Sequence, residues 1–314
     1  MRDLSCFGDG SVAVSAAASV SGRGCALERS LQAATTSVYS ARLSSGKEIL
    51  VRVTWTRSTA GAAGLAVAFD DEGLPSSPSR SRSAAAQQQQ QHVLRKKRGS
   101  RSLVTGAGTA VAVHWDVTAA EYASCPASSP EPCGGDYCLA VFADAELALL
   151  LGKGDLSRRF ASEPVPYSRH LVSRREQLRG GGGAEAAATT AAHATRCRFR
   201  EGGEEHEVTV RACGGGGGRG GVEGEVRVSI DGEEVAGVRR VGWGFRGNRA
   251  AVLGDGEVVD VMWDVHDWWF GRGGAGAQFM VRSRAEKEGR LWMADQPAAP
   301  PPGGFFLHVQ CYRQ

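Results

Sequence analysis

Outside a few composition-biased stretches, apolar positions in this chain recur at every second residue. Residues 48–55 (EILVRVTW), 207–211 (EVTVR) and 225–230 (EVRVSI) alternate polar with apolar. Such alternation turns one face of an extended strand to a core and the other to water. The third run ends at Asp231-Gly232, a strong short-range hairpin signal. Residues 111–115 (VAVHW) and 259–263 (VDVMW) each set Val, Val and Trp on one face. Strands with one wet face belong to antiparallel sheets. The helical period is weak, and residues 173–179 are read as a turn or two of helix. The pattern predicts an all-β fold.

The chain also resembles itself. Residues 98–117 laid on residues 246–265 agree at eleven of twenty positions, among them Arg98/Arg246, Gly99/Gly247, Trp115/Trp263 and Asp116/Asp264. Solenoid repeats run to tens of residues, whereas a spacing near 150 suggests a duplicated domain. Length at about 150 residues per domain gives the same prior of two units. The expectation is therefore two tandem duplicated antiparallel β-sandwich halves. A weakly ordered N-terminal segment (1–36) precedes the first half (37–161), a linker (162–194) and the second half (195–314). One large pseudo-two-fold β-sandwich is the alternative.

Composition sharpens the boundaries. Glycine supplies 43 of 314 residues, about twice the usual share. Much of it lies in biased runs: residues 124–135, 178–193, 213–221, and beside them the Ser/Arg/Gln-rich 75–91 and Pro-rich 296–304. None buries enough apolar surface to offset its conformational entropy, so all five read as disordered loop inserts. The net charge of +3 is too small for a protein that coats nucleic acid. No window of ~18 apolar residues occurs, so no membrane-spanning helix is expected. Eight cysteines at irregular spacings, with no CxxC pair around Cys125, Cys133 and Cys138, fit reduced intracellular thiols better than a disulfide framework or zinc site. Arg2 directly after Met1 excludes N-myristoylation. Residues 11–20 are too broken by serine for a secretory leader, though a Ser/Ala-rich transit peptide fits better.

The densest chemistry is WDVHDWWF at 263–270. Two carboxylates and an imidazole among aromatics are the material of acid–base or ligand-binding sites. The first copy keeps Trp115 and Asp116 but has Thr118 and Ala119 where His266 and Asp267 stand. A Trp-Asp pair present in both copies argues for core filling and turn capping. The basic run 95–101 (RKKRGSR) has the look of a nuclear signal or phosphate contact, while its repeat partner (GFRGNR, 244–249) reads as a strand turn. The glycine run at 214–218 lacks the Gly-Lys-Ser/Thr of a P-loop. Asp264, His266, Asp267, Trp268, Arg246 and Asn248 are the candidate binding residues. No catalytic residue, metal ligand or cofactor is assigned.

Several runs resemble a known family, the plant-specific domain of unknown function 868. They are residues 1–3 (MRD) with 5–8 (SCFG), the 97–102 turn, 113–116 (VHWD), 146–152 (ELALLLG), 171–176 (LVSRRE), 245–248 (FRGN) and 258–270 (VVDVMWDVHDWWF). The chain departs from the family pattern at the glutamine run with His92-Val93-Leu94, at Gly244 and at Ser37. Since the likeness begins at Met1, the N-terminus is expected to be native protein rather than a leader. The resemblance implies a plant source but no mechanism. The leading expectation is a non-enzymatic intracellular binding module, in cytoplasm or nucleus rather than chloroplast, that takes a protein or small ligand. The alternatives are a hydrolase-like or sugar- or lipid-handling enzyme using Asp264, His266 and Asp267, and a nucleic-acid binder. The last requires both basic turns on one surface.

Overall fold

The structure, a computed structural model, describes residues 31–71, 91–123, 128–161, 168–179, 190–200, 202–213, 225–238, 244–270, 276–284 and 305–312. Strands β1 (Leu31–Arg42), β2 (Glu48–Ser58), β3 (Ala63–Asp70) and β4 (His92–Val93) follow one another as an antiparallel meander. A second meander is β5 (Arg98–Val104), β6 (Ala110–Tyr122), β7 (Pro132–Ala143) and β8 (Glu146–Leu151). After the six-residue helix α1 (Asp155–Phe160) comes β9 (Ser168–Arg179). A third meander is β10 (Thr190–Cys197), β11 (His206–Cys213), β12 (Glu225–Ile230) and β13 (Glu233–Val238). The fourth is β14 (Arg246–Val252), β15 (Val258–Asp264), β16 (Gly276–Ser283) and β17 (Phe306–Tyr312), with the five-residue helix α2 (His266–Phe270) after β15.

The meanders assemble into three sheets. One has nine strands in the order β14-β15-β16-β17-β9-β1-β2-β3-β4; the others are β5-β6-β7-β8 and β10-β11-β12-β13. The large sheet is mixed, because β17 and β9 run parallel. Cross-strand partners share a face, so the register places Val261, Val281, Leu307, Arg174, Ser37, Val53 and Val67 in one row. The ends of that row belong to different cores. Val261, Val281 and Leu307 pack with Val210 and Val228 of the β10–β13 sheet, and Val53 and Val67 pack with Val113, Trp115 and Leu139 of the β5–β8 sheet. Both four-stranded sheets therefore lie side by side on the same face of the nine-stranded sheet. Each large apolar side chain buried there contributes about 1.5–3 kcal/mol.

The chain is thus mostly β, as the alternation predicts, but the sheets are not divided between two separate sandwiches: one layer runs across both cores. The span read as a linker, 162–194, contributes β9 to the middle of that layer. Residues 173–179 are strand rather than a helical turn, because ladder bonds to β1 and β17 on both sides outweigh local propensity. Two inserts also enter ordered structure. Ser129 and Glu131 form hydrogen bonds and an ion pair before β7 starts at Pro132, and 178–193 supplies the end of β9 and the start of β10. Residues 31–36 of the N-terminal segment begin β1. The inserts at 75–90, 214–221 and 296–304 lie outside the described residues.

Candidate functional site

The residues singled out by sequence meet at the end of β15, and their geometry is built from β14 upward. Gly247 stands opposite Trp263. A Cβ at Gly247 would overlap the indole ring, so only glycine lets the ring lie flat across β14. The indole Nε1–H donates to the Gly244 carbonyl at 3.0 Å, which satisfies the polar edge of a buried Trp. Arg246 Nε donates to Asp264 Oδ2 at 2.8 Å, and the other oxygen of Asp264 accepts the His266 amide at 3.0 Å. That second bond is an Asx turn, and it ends β15 and starts α2.

The Trp115 hairpin has the same contacts. A Cβ on Gly99 would meet the Trp115 ring, Trp115 Nε1–H donates to the Lys96 carbonyl at 2.8 Å, and Arg98 Nε donates to Asp116 at 2.7 Å. Asp116 Oδ1 accepts the Thr118 amide at 3.0 Å. Burial tends to raise the Asp116 carboxyl, yet the Thr118 and Arg98 hydrogen bonds hold it below the usual carboxylate range. This joint needs no His at the position after the turn, since Thr118 serves equally well.

The remaining members of the cluster separate. Trp268 is 1% exposed and fills the core. The His266 ring lies 5.1 Å from Phe245, and its Nδ1 is 2.9 Å from Asp267 Oδ1. That distance is within hydrogen-bond reach, as an acid–base pair would need. However, the side chains are 39% and 69% exposed, where water screens their coupling. The two basic turns stand far apart. β14 is one edge of the nine-stranded sheet, whereas Thr105, just after β5, bonds Asp71 beyond β3 near the opposite edge. Eight strand spacings of nearly 5 Å separate those edges, roughly 40 Å. Arg246 thus lies at one edge of that sheet, while the turn after β5 lies near the other.

Sequence reasoning missed a second cluster, inside the protein where the two four-stranded sheets meet over β9. Glu176 is fully buried. Its carboxylate accepts Arg174 Nε at 2.5 Å and Thr195 Oγ1 at 2.6 Å, and it contacts His193 Nε2. Arg174 also pairs with Glu131 at 2.6 Å, while Arg57 donates to the carbonyls of Ala123 and Ser129. Burial alone would raise the Glu176 carboxyl, but the Arg174 guanidinium and the His193 and Thr195 hydrogen bonds hold it down at about 2. The same carboxylates keep Arg174 firmly cationic against its burial. The available signal was LVSRRE itself, whose adjacent charges are unusual inside a strand.

The other face of the nine-stranded sheet bears neither four-stranded sheet. Two cross-strand rows lie there: Asn248, Met262, Met280, His308 and Arg175, and beside it Arg246, Asp264, Gln278, Gln310 and Gln177. Gln310 Oε1 accepts Arg175 at 2.6 Å, Gln177 at 2.9 Å and the Tyr312 hydroxyl at 3.1 Å. Of the sequence candidates, this face carries Asn248, Arg246 and Asp264. Among the described residues no three His, Cys, Asp or Glu side chains converge as metal ligands, and no helix is long and apolar enough to cross a membrane.

Fold and site together define a β protein in which one continuous sheet backs two smaller ones, with twin Trp-Asp joints and a charged seam. The chain belongs to the family described as plant protein of unknown function (DUF868), whose match spans residues 30–301. The likeness at residues 1–8 lies outside that span. No match was found among curated proteins or solved structures.

Proposed function

We propose that this protein is a non-enzymatic binding module that takes its ligand or partner on the face of the nine-stranded sheet that neither four-stranded sheet covers. The observation that carries the reading is the division of labour between the two faces. The inner face is covered by two sheets, while the outer one aligns hydrogen-bonding and thioether side chains across β14, β15, β16, β17 and β9. The WDVHDW corner supports it by subtraction, because Asp264, Arg246 and Trp268 have structural duties in a joint that the first copy builds with Thr118. His266, Asp267 and Asn248 remain as groups that a partner can touch. Buried unpaired thiols at Cys138, Cys197 and Cys311 suit a reducing compartment, cytoplasm or nucleus. The matching joints also favour an origin by duplication, the β5–β8 meander corresponding to β14–β17.

The test is site-directed photo-cross-linking in plant extract, with a photoreactive residue at position 278, 267 or 101 of the full chain. Adducts concentrated at 278 are expected. Adducts at 267 alone would make the corner the binding site, and equal labelling at all three positions would remove the assignment to this face.

A further inference from the structure

The chain has four methionines, at positions 1, 262, 280 and 293, and two of them stand directly opposite each other. Met262 faces Met280 across β15 and β16, and Met280 faces His308 across β16 and β17. Directly opposite residues have Cβ atoms about 5 Å apart. The long thioether chains and the imidazole can therefore converge above the central position, Met280. All three line one shallow hollow of about 10 Å³. That volume suits a water-sized particle.

We propose that Met262, Met280 and His308 form a binding site for a soft monovalent metal ion of the Cu(I) class. Thioethers are soft donors that favour Cu(I) over hard or borderline dications. The site's net charge argues the same way. The donors are neutral thioethers and an imidazole, and the next position in the row is the Arg175 guanidinium. A dication beside that guanidinium meets twice the repulsion of a monocation. The nearest carboxylates are committed elsewhere, Asp264 to Arg246 and the His266 amide, and Asp260 to Arg282 and Arg284. This inference rests on the outer face being the binding face. It can fail while cross-linking at position 278 still holds, so the two failures are distinguishable.

The experiment follows methyl-¹³C-methionine signals of the full-length reduced protein during titration with Ag(I), a redox-inert probe for Cu(I). Free thiols take silver first, and their capture is followed by thiolate absorbance; the next equivalent is read at the methionines. The Met262 and Met280 methyl signals, assigned through Met262→Leu and Met280→Leu, should then move together and saturate. Met1 and Met293 serve as internal controls. His308→Gln should abolish the saturable movement while the melting temperature stays near that of the parent. If that variant does not fold, the His308 ¹⁵N imidazole shift in the parent reads the same contact. Static Met262 and Met280 methyls, an unmoved His308 nitrogen, or an unchanged response in folded His308→Gln would each overturn the site.

Discussion

Replacing Glu176 by Gln keeps the shape of the side chain and removes its charge, which isolates the electrostatic role of the buried seam. In the parent the carboxylate accepts from Arg174, Thr195 and His193 with no exposure to solvent. In Glu176→Gln, the amide turns an N–H toward one of those donors, and among the described residues Arg174 keeps only Glu131 as an anionic partner. Removing one partner of a buried ion pair costs about 3–5 kcal/mol, against a total of about 5–15 kcal/mol for a typical protein. Urea unfolding followed by Trp fluorescence at neutral pH should therefore show a large loss. The pH dependence supplies the second reading. The folded carboxyl sits at about 2, below its ordinary 4.5, so its stabilisation is present above the unfolded value and is lost as pH falls through the folded one. The gap between parent and variant should narrow as pH drops from about 4.5 toward about 2. A variant as stable as the parent at neutral pH, or a gap that widens in acid, would refute the account of the seam.

Other expectations follow from the joints and the thiols. Trp263→Ala and Trp115→Ala should each cost about 3–5 kcal/mol, whereas His266→Ala should stay within about 0.5 kcal/mol; thermal melts decide, and equal losses at Trp263 and His266 would mean that the imidazole is structural. Gly247→Ala should destabilise by about 1–3 kcal/mol through overlap with the Trp263 ring, and a neutral result would mean that the indole does not lie across β14. In native protein, Cys133 should alkylate ahead of Cys138, Cys197 and Cys311, because burial pushes the Cys197 and Cys311 thiols up to about 12 and only thiolates react quickly. Peptide mapping by mass spectrometry reads the order.

Much of the fold was legible because its strands obey period two. In β2, Ile49, Val51, Val53 and Trp55 point inward in strict alternation, and the repeat around Trp115 and Trp263 marked two equivalent hairpins. What escaped was the middle of the large sheet. Alternation counted from Leu171 places Ser173 and Arg175 inside and Arg174 and Glu176 outside. The structure does the reverse, because the register slips between Val38 and Tyr39, where Ser173 and Leu171 are the successive partners. The extra residue, Val172, is a bulge, and one extra residue exchanges the faces of everything beyond it. Nothing in the local pattern of LVSRRE announces that slip. Residues 173–179 therefore resembled a fragment of helix, although their strand pairs with β1 on one side and β17 on the other.

The bulge also bears on function, because it sorts two adjacent arginines into different tasks. Arg174 is turned into the seam, where Glu131 and Glu176 bracket it and neutralise a charge that burial would otherwise make costly. Arg175 is turned to the other face, where Gln310 accepts two of its N–H groups. The WDVHDW corner drew notice for the density of its polar groups, yet Asp264 is held by hydrogen bonds that Asp116 also makes and Trp268 by packing in the core. Residues bound to such joints contribute mainly to stability. The outer rows differ in kind. Met262, Met280 and Asn248 lie on the face that neither four-stranded sheet covers, where packing against those sheets does not require a thioether or an amide. A search for activity should therefore begin on the sheet face rather than at the corner.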